Sequence, residues 1–198
     1  MSGFSDDELR AMVAQVVQRT LSGQDADRGS MPGRPLAASM EARIAKVVAV
    51  GADHAGYKMK EGLASHLAQA GYQLIDCGTN TAESVDYPDF ALAVGQKVQS
   101  GEAWRGIIVD GAGIGSCMAA NKVRGVRAAM CYDHATAVNS REHNDANVLT
   151  LGAGLIGETL ARQIVDTWLA TEFGGGRHHR RVEKIMAIEA VASGAEIP

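Results

Sequence analysis

The run Asp110-Gly111-Ala112-Gly113-Ile114-Gly115 sets one carboxylate against three glycines at alternate positions. Glycine at every second residue lets the backbone turn sharply and aim successive N–H groups at one spot. A helix beginning just afterwards adds the positive end of its dipole. An anion, or a negative charge that develops during a reaction, is stabilised in such a cradle, and a carboxylate at its edge can move a proton. The alternative is a plain strand-to-helix turn with a loop-facing aspartate. The loop is not the dinucleotide fingerprint G-x-G-x-x-G, because Ser116 stands where the third glycine belongs, and no Gly-Lys-Ser/Thr follows at P-loop spacing.

The elements that must position this loop follow from periodicity. Ile107-Ile108-Val109 is a short β-branched run that predicts a buried strand directly before it. Similar strands are expected at 47–50, 73–78, 126–131 and 148–151. Helices are expected at 57–70, 89–100, after the glycine loop, and at 133–143, 157–171 and 177–192. Residues 79–88 read as a polar loop that holds Tyr87. Short apolar strands alternating with helices predict an α/β fold: a single doubly wound, Rossmann-like parallel sheet of about five strands with helices on both faces. In such sheets ligands bind at the carboxyl ends of the strands. The loops at 51–56, 79–88, 110–116 and 131–134 all fall there.

Residues 1–22 predict a separate amphipathic helix. Ser5 and Glu8 have capping-box spacing, and Leu9, Met12, Val13, Val16, Val17 and Leu21 share one face. Residues 23–44, rich in Gly, Pro and polar side chains, have linker composition. A globular domain is expected over 45–198. The net charge of −4 argues against nucleic acid as a partner. No apolar run approaches the ~20 residues of a membrane span, and the N-terminus lacks the pattern of a signal peptide. Cys77, Cys117 and Cys131 are odd in number, widely spaced and without a CxxC, as expected of reduced thiols in a cytoplasmic protein with no metal site.

Five blocks occur in one order: Gly51-Ala52-Asp53-His54-Ala55-Gly56, Asp86-Tyr87-Pro88, the glycine loop with Ala119-Ala120-Asn121-Lys122, Arg141 to Leu149, and Gly175-Gly176-Arg177-His178. Together they resemble the ribose-5-phosphate isomerase B family, which includes the galactose-6-phosphate isomerase subunits, over about residues 46–190. The resemblance implies an aldose–ketose isomerase of sugar phosphates that works through a cis-enediolate without metal or other cofactor. It also implies a homodimer, or a dimer of dimers, whose sites draw on both subunits.

Family members commonly carry a cysteine at the position of Asp110, or a glutamate at that of Ser116. Here Asp110 is expected to be the base, with Cys117 as the alternative, since a thiol in a helix's first turn can be activated by the dipole. The N–H groups of Gly111 to Gly115, with Gly113 between them, are expected to hold the enediolate oxygen. His143 matches the ring-opening histidine. Asp53 and Asn144 match residues on the sugar hydroxyls, and His54 one that meets the phosphate; Tyr87 is expected among the substrate-binding residues. Arg177 and Arg181, four apart on one helical face, match the paired phosphate arginines that serve the partner subunit's site; a merely solvated basic face is the competing reading. Ala112 stands where the family often has a ring-opening hydroxyl, and Gly154 where it often has a further phosphate arginine.

The expected reaction is therefore ribose 5-phosphate to ribulose 5-phosphate. The competing readings are a tetrose 4-phosphate or another short sugar phosphate, which has no furanose ring to open, and a phosphosugar-binding protein without turnover. The helix at residues 5–21 resembles the encapsulation peptides that dock enzymes on bacterial microcompartment shell proteins, which implies a place inside such a compartment. Packing back on its own dimer is the alternative; a membrane is disfavoured because the polar face mixes Arg with Gln and acids lead the helix.

Overall fold

A computed structural model describes residues 47–192. The expected N-terminal helix (1–22) and the linker (23–44) lie outside the described residues. The chain runs β1 (Val47–Ala52), α1 (Tyr57–Gln69), β2 (Gln73–Asp76), α2 (Tyr87–Gln99), β3 (Arg105–Asp110), α3 (Ile114–Ala120), β4 (Ala128–Met130), α4 (His134–Glu142), β5 (Val148–Gly152), α5 (Glu158–Ala170), a 3₁₀ turn (Gly176–His178) and α6 (His179–Ala192). The five strands form one parallel sheet in the order β2-β1-β3-β5-β4. This is the expected α/β architecture.

Side chains on successive strand residues point to opposite faces, and the sheet uses both. Val48, Val50, Ile107, Val109, Leu149 and Leu151 pack with Leu63 and Leu67 of α1 and Ile164, Val165 and Trp168 of α5. Ala49, Ile108 and Val148 pack on the other face with Ala91 and Val94 of α2 and Ala120 of α3. The central strand β3 is buried along its whole length, which is why its middle, Ile107-Ile108-Val109, reads as a continuous apolar run.

Element ends differ from the expectation by a residue or two at several places, as in β2 and β4, which are shorter than 73–78 and 126–131. Tyr87 and Pro88 open α2 and do not close the preceding loop; proline suits the first turn, where its missing N–H has no helical partner. The last helix is interrupted, with the 3₁₀ turn at Gly176–His178 preceding α6. Asp133 starts α4 with a reciprocal capping box: its side chain accepts from the Thr136 N–H, and the Thr136 hydroxyl faces the Asp133 N–H. Among the described residues no helix is long and apolar enough to cross a membrane.

The end of α5 is fixed by two buried arginines. Arg105 donates to the carbonyls of Trp168 (2.8 Å) and Leu169 (3.0 Å). Arg141 donates to the carbonyls of Thr171 (3.2 Å) and Ala146 (2.6 Å) and to Asp145 (2.8 Å). Both guanidinium groups lie near the Trp168 ring. Desolvation, with the neighbouring Arg141 charge second, pulls Arg105 down to about 10. These contacts set where the chain leaves α5 for the 3₁₀ turn.

Candidate active site

At the carboxyl edge of the sheet, β1 and β3 pair Ala52 with Val109, and the Asp53 N–H donates to the Val109 carbonyl at 3.2 Å. Asp53 and Asp110, the next residues of the two strands, thus end side by side, and both are buried. Asp53 is held by the Gly56 N–H at 2.9 Å. Asp110 is held by its own loop: Oδ1 accepts from the N–H of Ala112 (2.8 Å) and of Gly113, and Oδ2 from that of Ser116 (3.0 Å). Gly113, at φ +78°, supplies the left-handed turn that brings these N–H groups round.

This modifies the expected oxyanion cradle. The N–H groups of Ala112 and Gly113 are taken by Asp110 and do not await a ligand, because the carboxylate at the strand end lies within reach of the turn it starts. Ile114 and Gly115 open α3, and the first N–H groups of a helix have no acceptor within it. A carboxylate offers about four lone-pair sites. Three are engaged here, so Oδ2 keeps one.

Tyr87, at the start of α2, covers the loop; a Cβ on Gly115 would come within 2.5 Å of the phenol ring. His54 is exposed beside it, its Nδ1 accepting from the Val85 N–H at 3.3 Å. Gly154 donates its N–H to the Gly111 carbonyl (2.9 Å), and a Cβ there would come within 2.9 Å of that oxygen. A side chain at 154 would therefore require the backbone at Gly111 or at 154 to shift.

Cys117 turns away from this edge. Its thiol reaches the Ala128 carbonyl of β4 at 3.4 Å, and burial pushes it above the ordinary thiol range. A thiol kept protonated at neutral pH is a poor base.

Ser116 is completely buried, and its hydroxyl is the one buried side-chain polar atom without a hydrogen-bond partner among the described residues. No local pattern signals this, because a serine in a helix's first turn is ordinarily a solvated or capping residue.

His143, Asn144, Arg177 and Arg181 belong to the opposite edge. α4 starts at the carboxyl end of β4, and its nine residues descend about 13.5 Å. His143 therefore lies beyond its far end, next to the turn that enters β5. The carbonyl of Asn147, in that turn, accepts from the Gly106 N–H near the start of β3. The 3₁₀ turn comes to the same place: the Gly174 N–H donates to the Glu142 carbonyl at 2.9 Å, and the His178 ring stacks on His143 at 4.2 Å and 4°. Partial desolvation, then the positive surroundings of His143, Arg177 and Arg181, lower His178 below the ordinary histidine range. A groove of about 610 Å³ runs beside β4 from Asn121 past Asn139 and Asn144 to Ile185 of α6.

The chain thus brings Asp53, His54, Tyr87 and Asp110 together at one end of the sheet, and His143, Asn144 and the arginine-bearing turn together at the other. The stacking of His178 on His143 links residues 35 positions apart, which sequence spacing does not reveal. Among the described residues no three His, Cys, Asp or Glu side chains converge to hold a metal ion.

A match to the family described as Ribose/Galactose Isomerase spans residues 48–185. The chain belongs to this family. Escherichia coli ribose-5-phosphate isomerase B is 45% identical over 144 residues, which is 73% of this chain and 97% of the relative. The D-erythrulose-4-phosphate isomerase of Pectobacterium atrosepticum is 42% identical over 139 residues, covering 70% of this chain and 91% of the relative. Among solved structures, the Clostridium thermocellum ribose-5-phosphate isomerase B superposes with a TM-score of 0.73 at 53% identity, over 74% of this chain and 99% of that one. Family membership makes the protein a sugar-phosphate aldose–ketose isomerase.

Proposed function

We propose that the protein interconverts ribose 5-phosphate and ribulose 5-phosphate through a cis-enediolate, in a homodimer with two shared sites. The carrying observation is that the site residues divide between the two ends of the sheet. One copy cannot bring Asp110 and His143 to one sugar, since the two edges are separated by a strand's length, about 16 Å for five residues. The carboxyl edge of one copy set against the His143 end of its partner supplies both sets to one ligand.

In that site Asp110, through the free lone pair of Oδ2, takes the proton from C2 of the open-chain aldose. The electrons move into the C1–C2 enediolate, the O2 hydroxyl proton passes to O1, and the carbon-bound proton returns to C1 as C2 becomes the carbonyl of the ketose. The N–H groups of Ile114 and Gly115 offset the charge that develops on oxygen. His143 of the partner subunit moves the proton between ring oxygen and C1 hydroxyl when the furanose opens. Asp53, Tyr87 and the partner's Asn144 orient the sugar hydroxyls. His54 with the partner's Arg177 and Arg181 holds the phosphate. Ground and transition states carry the same phosphate, so this end contributes mainly binding.

A specific observation favours a second reading, a tetrose 4-phosphate. Position 112 carries no hydroxyl, and a sugar esterified at O4 has no furanose ring to open; the Pectobacterium relative bears the name of such an enzyme. Proton exchange into a panel of sugar phosphates in deuterated water separates the two by which substrate gives the highest kcat/KM. We further propose that residues 5–21 dock on a microcompartment shell protein; the amphipathic pattern of that segment supports this.

The shared site is tested by mixing. Asp110→Asn and Arg177→Ala homodimers are each impaired, and subunit exchange between them gives heterodimers with one intact site. Regain of activity on mixing is expected. No regain, with exchange verified by mass, would overturn the shared site.

A further inference from the structure

We infer that Asn139 is a positioning residue that fixes the tautomer of His143, placing its ring proton on Nε2; the catalytic consequence rests on the ring-opening role proposed above. The backbone carbonyl of Asn139 can only accept, and the Asn144 side chain meets it through Nδ2 at 3.2 Å. That orients the Asn144 amide with its donor end toward Asn139. The same Nδ2 reaches the Asn139 side chain at 3.3 Å, so the atom facing it must be the acceptor Oδ1. The other end of the Asn139 amide, Nδ2, then faces His143 Nδ1 at 2.8 Å and donates to it. A nitrogen that accepts a hydrogen bond bears no proton, so the neutral imidazole carries its hydrogen on Nε2.

The ring plane is set from a different element. His178, carried on the 3₁₀ turn, stacks on His143 with the rings 4° from parallel. Its own Nε2 accepts from Arg177 Nε at 3.4 Å, which ties the stack to the arginine that bears on the phosphate. His143 is thus held by an amide at one nitrogen and a ring over one face, and Nε2–H remains as the donor. A donor is what ring opening in the aldose direction needs first, because the ring oxygen O4 must gain a proton as the C1–O4 bond breaks. The charged and titratable groups around this imidazole are Glu142 on its own helix and Arg177, His178 and Arg181 on the turn and α6.

The test uses the full-length protein with ¹⁵N-labelled histidine. Long-range ¹H–¹⁵N spectra at pH 8 report which nitrogen of each ring bears the proton, and the signal lost in His143→Gln assigns the site. The expected result is an unprotonated Nδ1 and a protonated Nε2 in the wild type. Asn139→Asp puts an acceptor opposite Nδ1 and moves the proton to that nitrogen. It should lower kcat on a cyclising pentose phosphate at least tenfold while KM changes less than threefold. Asn139→Leu, similar in size but without a donor, should give a mixture of tautomers and an intermediate kcat. A protonated Nδ1 in the wild type, or an Asn139→Asp spectrum and kcat identical to the wild type, overturns the inference. The two failures are distinguishable: if His143→Gln keeps full turnover, the ring-opening role itself is wrong, whereas an inactive His143→Gln beside unaffected Asn139 variants refutes only the positioning role.

Discussion

Asp110→Asn does more than remove a base. In the native loop Oδ1 accepts two N–H groups and Oδ2 accepts the third, from Ser116. An asparagine can keep its oxygen toward Ala112 and Gly113, but its Nδ2 then faces the Ser116 N–H, donor against donor, in a buried site. A buried donor left unpaired costs about 1–3 kcal/mol. The two surviving bonds lose the charge assistance that makes carboxylate acceptors roughly twice as strong. The sum is about 2–4 kcal/mol, and with a shift of about 2–4 °C per kcal/mol for a chain of this size the melting temperature should fall by roughly 4–16 °C. Proton exchange from the substrate carbon into solvent, followed by NMR at 25 °C where the variant is still folded, should fall at least a thousandfold; a thousandfold is about 4 kcal/mol of barrier. The two readouts separate two ideas. Exchange within a few-fold of wild type refutes Asp110 as the base. An unchanged melting temperature refutes the picture of a carboxylate that its own loop grips.

Three further outcomes are expected. Cys117→Ala should retain most of the isomerase activity, and alkylation of this thiol should become fast only well above the pH at which a free cysteine reacts, because burial raises its pKa; rapid labelling at pH 7 together with lost activity would restore it as a candidate base. His178 is lowered in the folded chain, so the unfolded chain binds the proton first, and the contribution of this residue to stability is present above the unfolded value of about 6.5 and is lost as pH falls below it; amide exchange in residues 174–181 should accelerate below about pH 6 relative to the sheet, and uniform exchange across that range would refute the reasoning. Deleting residues 1–35 should leave kcat and KM unchanged and abolish co-localisation with shell protein, whereas a truncated protein that loses several degrees of melting temperature would show that the segment packs on the domain.

What the sequence determined by itself was the order of strands and helices and the identity of the loops at the carboxyl edge. Both rest on local rules: apolar β-branched runs such as Ile107-Ile108-Val109 bury themselves as strands, and alternate glycines force a turn. Boundaries at Tyr87 and at Gly176 were misplaced, because a helix start beside proline and a 3₁₀ turn between glycines follow from contacts outside a short window. Family blocks also named Asp53, His54, Asp110, His143 and Arg177 as a group. Their division between the two ends of the sheet was decided by tertiary structure alone: a helix that follows a parallel strand must run back against it, so α4 carries His143 away from the edge where Asp110 stands. The hydrogen bonds of Asp110 to its own loop and the stacking of His178 on His143 were likewise beyond sequence reasoning, since each depends on distances that only a folded backbone sets.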